Sequence, residues 1–266
     1  MNVITIKKAM RFSAEEFATR EGTQRFVVEK QFPEPAITIF GDREANGIGP
    51  ILPQVVIHAN WNSPGICLEQ LDNAVVGPIK VERSNGIAVR VRSCRQSLFD
   101  AIQATESVSA VAAVEIDCIR ESQGDSTNAC RFNFVSVYAC ASNSLLSIRG
   151  NTVLGLGTCR HNQFGFVFLH TIWERQLNRL PVEMRGSFFL NKNRWMLLMN
   201  NCQDIGFERL KVTTDDQSKV FGGDRVRRCR FAGQALVYDR NQVGEFGGEG
   251  NDYSMLATDV RSTVAV

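Results

Sequence analysis

No run of about 18 consecutive apolar residues occurs in this chain, so no membrane-spanning helix is predicted. Histidine is scarce, with only three in 266 residues, and there is no Cys-x-x-Cys pair. His58, His161 and His170 do not stand at zinc-ligand spacing from the cysteines, so neither a metal site nor a cofactor is expected. Net charge is nearly absent: a formal +2 and a pI near 8.1 make too mild a field to draw nucleic acid. Segments of helical period are few, and this argues against alternating α/β architectures. Met1 to Met10 carries two lysines with no apolar run after them, which is not a secretion signal; synthesis in a reducing cytoplasm is the expectation.

What is present is ordinary in bulk and unusual in layout. Hydrophobic residues at 44% and charged residues at 22% suit a soluble folded chain. Eight cysteines are distributed so that five of them follow a short polar corner and precede an apolar strand. Ser93-Cys94-Arg95 leads into Leu98, Phe99 and Ile102, and Ala129-Cys130-Arg131 into Phe132, Phe134, Val135 and Val137. Thr158-Cys159-Arg160 leads into Phe164, Phe166 and Phe168, Asn200-Asn201-Cys202 into Ile205 and Phe207, and Arg228-Cys229-Arg230 into Phe231, Leu236 and Val237. Leu71 takes the same place before Val75 and Val76. A slot returning at roughly 20 to 50 residues is the signature of stacked repeats. In such a stack a cysteine serves as a small buried hydrophobe above its equivalent one layer away, not as a disulfide partner.

Taken in order, residues 1–25 are predicted to form an N-terminal cap or attachment segment. Val3, Ile4 and Ile6 give a short β start, and Ser13 with Glu16 has the spacing of a helix capping box. Residues 26–243 contain short β runs separated by glycine and proline, with no helical period until Ile172 to Arg185, an insertion containing Trp173. Gly65-Ile66 and Gly86-Ile87 open two strands alike, which aligns Ile66 with Ile87. Ile87, Val89 and Val91 alternate with Arg90 and Arg92, so one face of that strand is expected to be buried and the other solvated. Residues 244–266 form a glycine-rich tail whose end, Tyr253 onward, could pair as a closing strand.

The runs Gly65-Ile66-Cys67-Leu68, Asn162-Gln163-Phe164-Gly165 and Asn200-Asn201-Cys202-Gln203-Asp204-Ile205-Gly206-Phe207 resemble the asparagine-rich corners of right-handed parallel β-helix proteins, the pectate-lyase-like superfamily. Ile37-Thr38-Ile39-Phe40-Gly41, followed by Pro50 and the Gly65-Ile66 strand, is most similar to the start of the β-helix in bacteriophage tailspikes. The likeness covers about residues 35 to 240. It implies an all-β fold, a right-handed parallel β-helix solenoid with a short N-terminal cap. It further implies a homotrimeric virion protein of the phage tail, made in the host cytoplasm, that meets other tail proteins and binds, and sometimes cleaves, bacterial surface polysaccharide. The catalytic sets of polygalacturonases and pectate lyases are absent, so no specific activity carries over.

Three groups of residues remain as candidates for chemistry. Glu115 and Asp117 share one face of a strand at about 7 Å, within the separation an inverting glycosidase needs. Arg95, Arg131, Arg160 and Arg230 each follow a repeat cysteine, so four guanidinium groups could line the stack and grip an acidic polysaccharide. Trp61 and Trp173 lie in polar or inserted stretches where an indole could stack on a sugar ring, whereas Trp195 is expected in the core. The leading reading is a tailspike-like adhesin for bacterial glycan. A polysaccharide lyase or hydrolase, and a structural virion component without glycan activity, are the alternatives.

Overall fold

The computed structural model describes residues 3–41, 49–117, 127–150, 158–171, 194–214 and 218–260. The chain is all-β, and its parallel strands wind nearly closed round one axis as a β-helix-like solenoid, as the repeat predicts. Two ladders carry it. The first runs β1 (Val3–Ile6), β3 (Gln24–Val28), β6 (Val55–His58), β9 (Ile79–Glu82), β11 (Leu98–Thr105), β13 (Arg131–Arg149), β15 (Gln163–Thr171), β17 (Gly206–Thr213), β19 (Arg230–Val237) and β20 (Asp252–Val260). The second runs β2 (Met10–Ser13), β4 (Ile37–Phe40), β7 (Ile66–Glu69), β10 (Val89–Arg92), β12 (Val108–Asp117), the C-terminal half of β13, β16 (Trp195–Gln203) and β18 (Lys219–Arg227). Short strands β5 (Ile51–Leu52) and β8 (Val75–Val76) extend the first ladder at its corner, below the start of β11, and β14 (Cys159–Arg160) extends the second against the end of β16.

The stack takes in both flanking segments, and at the C-terminal end it does so through the closing strand expected from Tyr253 onward. Within residues 1–25, β1 and β2 already pair with the ladders, and only α1 (Ala14–Ala18) behaves as a cap. Its N-terminus is closed by Ser13, whose Oγ accepts from Glu16 N at 3.1 Å, and Phe17 is fully buried against β2, β4 and β5. Beyond residue 243, Gly247 and Glu249 accept from Val226 and Arg228, and β20 closes on β19. Ile66 stands opposite Val89, not Ile87. Gly65 instead lies under the Ala88 carbonyl, where no side chain would fit. The shift is by two residues, so every side chain keeps its face.

The corner between the sheets explains the cysteines. Four layers turn twice there, each time through a non-glycine residue in the left-handed region, and two more show the second of these bends. The first bend is at Gln70, Ser93, Asn201 and Arg225, and the second, three residues on, is at Asn73, Gln96, Ala129, His161, Asp204 and Arg228, all with φ between 47° and 57°. The carbonyl just before each bend accepts a backbone N–H from the neighbouring layer, as Arg92 O does from Gln70 N and Arg227 O from Asp204 N, and a small side chain just after the bend donates to the same carbonyl. Sγ of Cys94 and Cys202 reach the carbonyls two residues back at 3.5 and 3.4 Å, as do those of Cys130 and Cys229 at 3.4 Å, and Ser97 Oγ does so at 2.8 Å. Cys140, after the left-handed Ala139 at the opposite corner, repeats the motif at 3.5 Å.

The single slot expected from the sequence is therefore two. Cys94, Cys159 and Cys202 belong to one column with Leu71, Thr127 and Val226. Cys130 and Cys229 belong to a second with Ala74, Ser97, Asn162 and Ile205. The five cysteines do occupy successive layers of one corner, and the seven described cysteines are free and buried. Asn162 fits its slot by accepting from Cys130 N at 2.9 Å and donating to Thr127 O at 2.8 Å.

Just past this corner the interior is held by an aromatic stack. Phe99, Phe132, Phe164, Phe207 and Phe231 follow one another at 4.7, 4.8, 4.7 and 5.3 Å between ring centroids, and Tyr253 closes the column at 5.0 Å. This is the strand spacing expressed in side chains. Each buried ring contributes about 1.5–3 kcal/mol by removal from water, and each stacked pair about 0.5–1.5 kcal/mol more.

Candidate functional site

Glu115 and Asp117 do share a face of β12, and that face is not open. Glu115 is 0% exposed and Asp117 6%. In the ladder Arg90 stands opposite Glu115 and Arg92 opposite Asp117 on one side, with Arg149 beside both on the other. Arg90 Nη2 lies 2.6 Å from Glu115 Oε2, Arg149 holds the other Glu115 oxygen, and Arg92 Nε is 3.3 Å from Asp117 Oδ1. Glu69 continues the network toward Arg92 at 3.6 Å and Arg11 at 3.5 Å. The outer face of β10, expected to be solvated, is a largely covered ion network.

Burial pulls the Arg90 guanidinium below its ordinary value, and burial followed by the neighbouring Arg90 and Arg92 charges does the same to Arg149. Burial also acts on Arg92, but Asp117 beside it carries that group above its ordinary value. Cys67, between the arginines and Glu69, is pushed up by burial and then by the Glu69 charge. A carboxylate whose two oxygens are both held by guanidinium groups, with no surface to solvent, serves charge neutralisation and has no route to a glycosidic oxygen.

The four arginines do not form one row. Arg95 and Arg160 share a column, with Asn128 between them, while Arg131 and Arg230 share the column three residues on, separated by Gln163 and Gly206. Two cysteine slots make two arginine columns, and alternation with uncharged residues keeps like charges from direct opposition. Arg131 reaches past the intervening layer to Glu208, with Nη1–Oε1 at 3.0 Å and Nη2–Oε2 at 3.3 Å, and its Nε donates to Asn133 at 3.1 Å. The Gln163 amide packs over the bare backbone of Gly206, and a groove of about 400 Å³ opens beside them, lined by Gln163, Gly206, Glu208, Arg230 and Met255 among others.

Beside this groove lies a feature that the alternation of the sequence does not reveal. In β13 and β15 the chain places two consecutive residues outward, Asn133-Phe134 and Gly165-Phe166, before turning inward again at Val135 and Val167. Phe134, Tyr138, Phe166, Phe168 and His170 consequently stand together on the outer surface of the first sheet. Phe134 and Phe166 are 5.6 Å apart, Tyr138 and His170 5.3 Å at 15°, and Phe168 and His170 5.9 Å. Tyr138 is 38% exposed, the other four are half-buried, and exposed Arg209 and Lys211 follow in the next layer. The signal available in the sequence was the inward spacing of three, Phe99 to Ile102, Phe132 to Val135, Phe164 to Val167 and Phe207 to Leu210.

The tryptophans are distributed differently from expectation. Trp61 is half-buried, with Nε1 donating to Glu106 O at 3.2 Å and the Arg83 guanidinium 5.2 Å from the ring centroid. Trp195 is a half-buried outward residue carrying Arg194 on its ring at 4.4 Å, not a core residue, because Met196 and Leu197 take the interior. Trp173 lies outside the described residues. Among the described residues no group of three or more His, Cys, Asp or Glu side chains is placed to hold a metal ion, and no helix is long and apolar enough to cross a membrane. No family model, curated protein or solved structure matches the chain.

Proposed function

We propose that this chain is a glycan-binding adhesin whose contact surface is the outer face of the first sheet, and that its ligand is an acidic bacterial surface polysaccharide. The observation that carries the reading is the aromatic surface of Phe134, Tyr138, Phe166, Phe168 and His170 beside the groove between Arg131 and Arg230. Sugar rings present apolar C–H faces that stack on aromatic rings, and a uronate or acidic substituent takes bidentate arginine contacts. Arg131 is pre-aligned by Asn133 and Glu208, and an incoming carboxylate exchanges with Glu208 at little cost because that pair is solvent-exposed. The parallel solenoid supports the tailspike-like version of this reading: a homotrimer in the virion tail, with the stack as a rigid rod for a repeating polymer.

The test is binding of the intact protein to immobilised capsular and lipopolysaccharide preparations. Wild type is expected to bind an acidic polymer, and the Tyr138→Ala/Phe166→Ala variant to lose at least tenfold in affinity while melting within a few degrees of wild type. Wild type that binds no acidic polysaccharide, or a variant that binds as wild type does, overturns the proposal. Mass photometry checks the trimer, and a monomer contradicts the tailspike-like version.

A further inference from the structure

A second cleft lies on the other side of the molecule, where the first sheet hands over to the second. It measures about 560 Å³ and is lined by Gln31, Phe32, Pro33, Asn62, Pro64 and Asn85, with Gly86 at its edge. On a chain in which 22% of residues are charged, no charged side chain lines it. Three primary amides offer both donors and acceptors, one Asn62 N–H being committed to Val28 O, and one aromatic and two proline rings offer flat apolar surface. Gly86, at φ +116°, is packed so closely on the Pro64 ring that a side chain there would drive into it.

Among the described residues, the backbone leading into the cleft is strained in a way the other corners are not. Asn60 and Trp61 are consecutive non-glycine residues in the left-handed region, at φ 50° and 56°, where the other bends use one such residue at a time. Conformations of this kind cost of order 1–3 kcal/mol each and concentrate where a chain must present a group. Here the group presented is Asn62, the next residue. Trp61 is fixed by Glu106 and Arg83, Asn62 Nδ2 donates to Val28 O at 3.1 Å, and Phe32 N donates to Asn62 O at 3.0 Å, so the amide is held at the rim beside the Phe32 ring.

We infer that this cleft is a binding site for an uncharged hexose or N-acetylhexosamine unit. A neutral sugar has one apolar ring face for Phe32 and the prolines, and alternating hydroxyls that both give and accept hydrogen bonds, as amides do. A uronate or phosphosugar finds no cation there. The site differs from the arginine groove in place and in chemistry, so it stands whether or not that groove binds an acidic polymer.

Saturation-transfer NMR on the intact protein tests it, with the methyl glycosides of glucose, galactose, mannose and N-acetylglucosamine at millimolar concentration as probes. At least one glycoside is expected to receive saturation from wild type and from Arg131→Ala. The effect should fall at least tenfold in Phe32→Ala and in Asn85→Asp. Gln31→Glu, on an exposed residue, gives the same loss without touching the core, should Phe32→Ala fail to fold. No transfer to any of the four from wild type overturns the inference, and so does transfer that survives both Asn85→Asp and Gln31→Glu.

Discussion

Phe164 and Phe166 are two residues apart in one strand, and plain alternation would bury both or expose both. The structure separates them. Phe164 is fully buried between Phe132 at 4.8 Å and Phe207 at 4.7 Å, whereas Phe166 is half-buried on the outer surface. Truncating a buried phenylalanine costs about 3–5 kcal/mol, and Phe164→Ala belongs at the upper end because it leaves a ring-sized gap and breaks two stacked pairs. Phe166→Ala gives up a partly exposed ring and one tilted contact, about 1 kcal/mol. Against a total stability of about 5–15 kcal/mol the first change approaches unfolding, and in a stack with nearest-neighbour coupling it weakens the layers on either side first. Urea denaturation followed by far-UV circular dichroism and by hydrogen exchange measures both. Equal costs for the two variants, or a Phe164→Ala cost below about 1 kcal/mol, would refute the account of how this strand changes parity.

Other outcomes rest on the same structure. Glu115→Gln leaves Arg90 and Arg149 facing a neutral group in a covered site, so a loss of about 3 kcal/mol is expected in the same denaturation assay; a neutral effect contradicts the ion network. Burial pushes the thiols of Cys130 and Cys140 up to about 12 and that of Cys229 to about 11, above the unfolded value of about 8.5. The unfolded chain then sheds these protons first, so their contribution is complete below about pH 8.5 and is lost as pH rises toward 11–12. Alkylation at pH 8 should spare the seven described cysteines until denaturant is added. Hydrogen bonds from Arg228 hold the Asp204 carboxyl down to about 2, below the unfolded value of about 3.9. Its contribution is present above about pH 4 and disappears as pH falls through 2, and Asp204→Asn should flatten that part of the acid unfolding curve.

Much of the architecture is legible in the sequence because the solenoid repeats an inward demand at every layer. A small side chain after a bend and a large ring a few residues later recur as Cys94 and Phe99, Cys130 and Phe132, Cys202 and Phe207, and Cys229 and Phe231. The bends themselves leave no such trace. Asn73, Gln96, Ala129, His161, Asp204 and Arg228 share a left-handed backbone and no side-chain chemistry, since the requirement is conformational and each residue meets it differently. Two bends per corner therefore merged into one cysteine slot, and the arginine columns beyond them merged into one row. The outward aromatic surface was hidden for a related reason. One extra outward residue at Asn133 and at Gly165 reverses the parity of Phe134 and Phe166, and such a step has no compositional mark.

The stacking itself can be read with a ruler. Exposed Ile51 and Arg230 lie in one column, through Val75, Leu98, Arg131, Gln163 and Gly206, six inter-strand steps apart. Spin labels on Ile51→Cys and Arg230→Cys in a Cys118→Ser background, attached while the seven described thiols are buried, should report backbones about 29 Å apart by pulsed electron resonance, at about 4.8 Å per layer. Moving the second label to Asp252→Cys should lengthen the distance by about 5 Å, one further layer. A separation that stays fixed or shortens on that move, or one below about 20 Å to begin with, would contradict a chain that climbs one layer at a time.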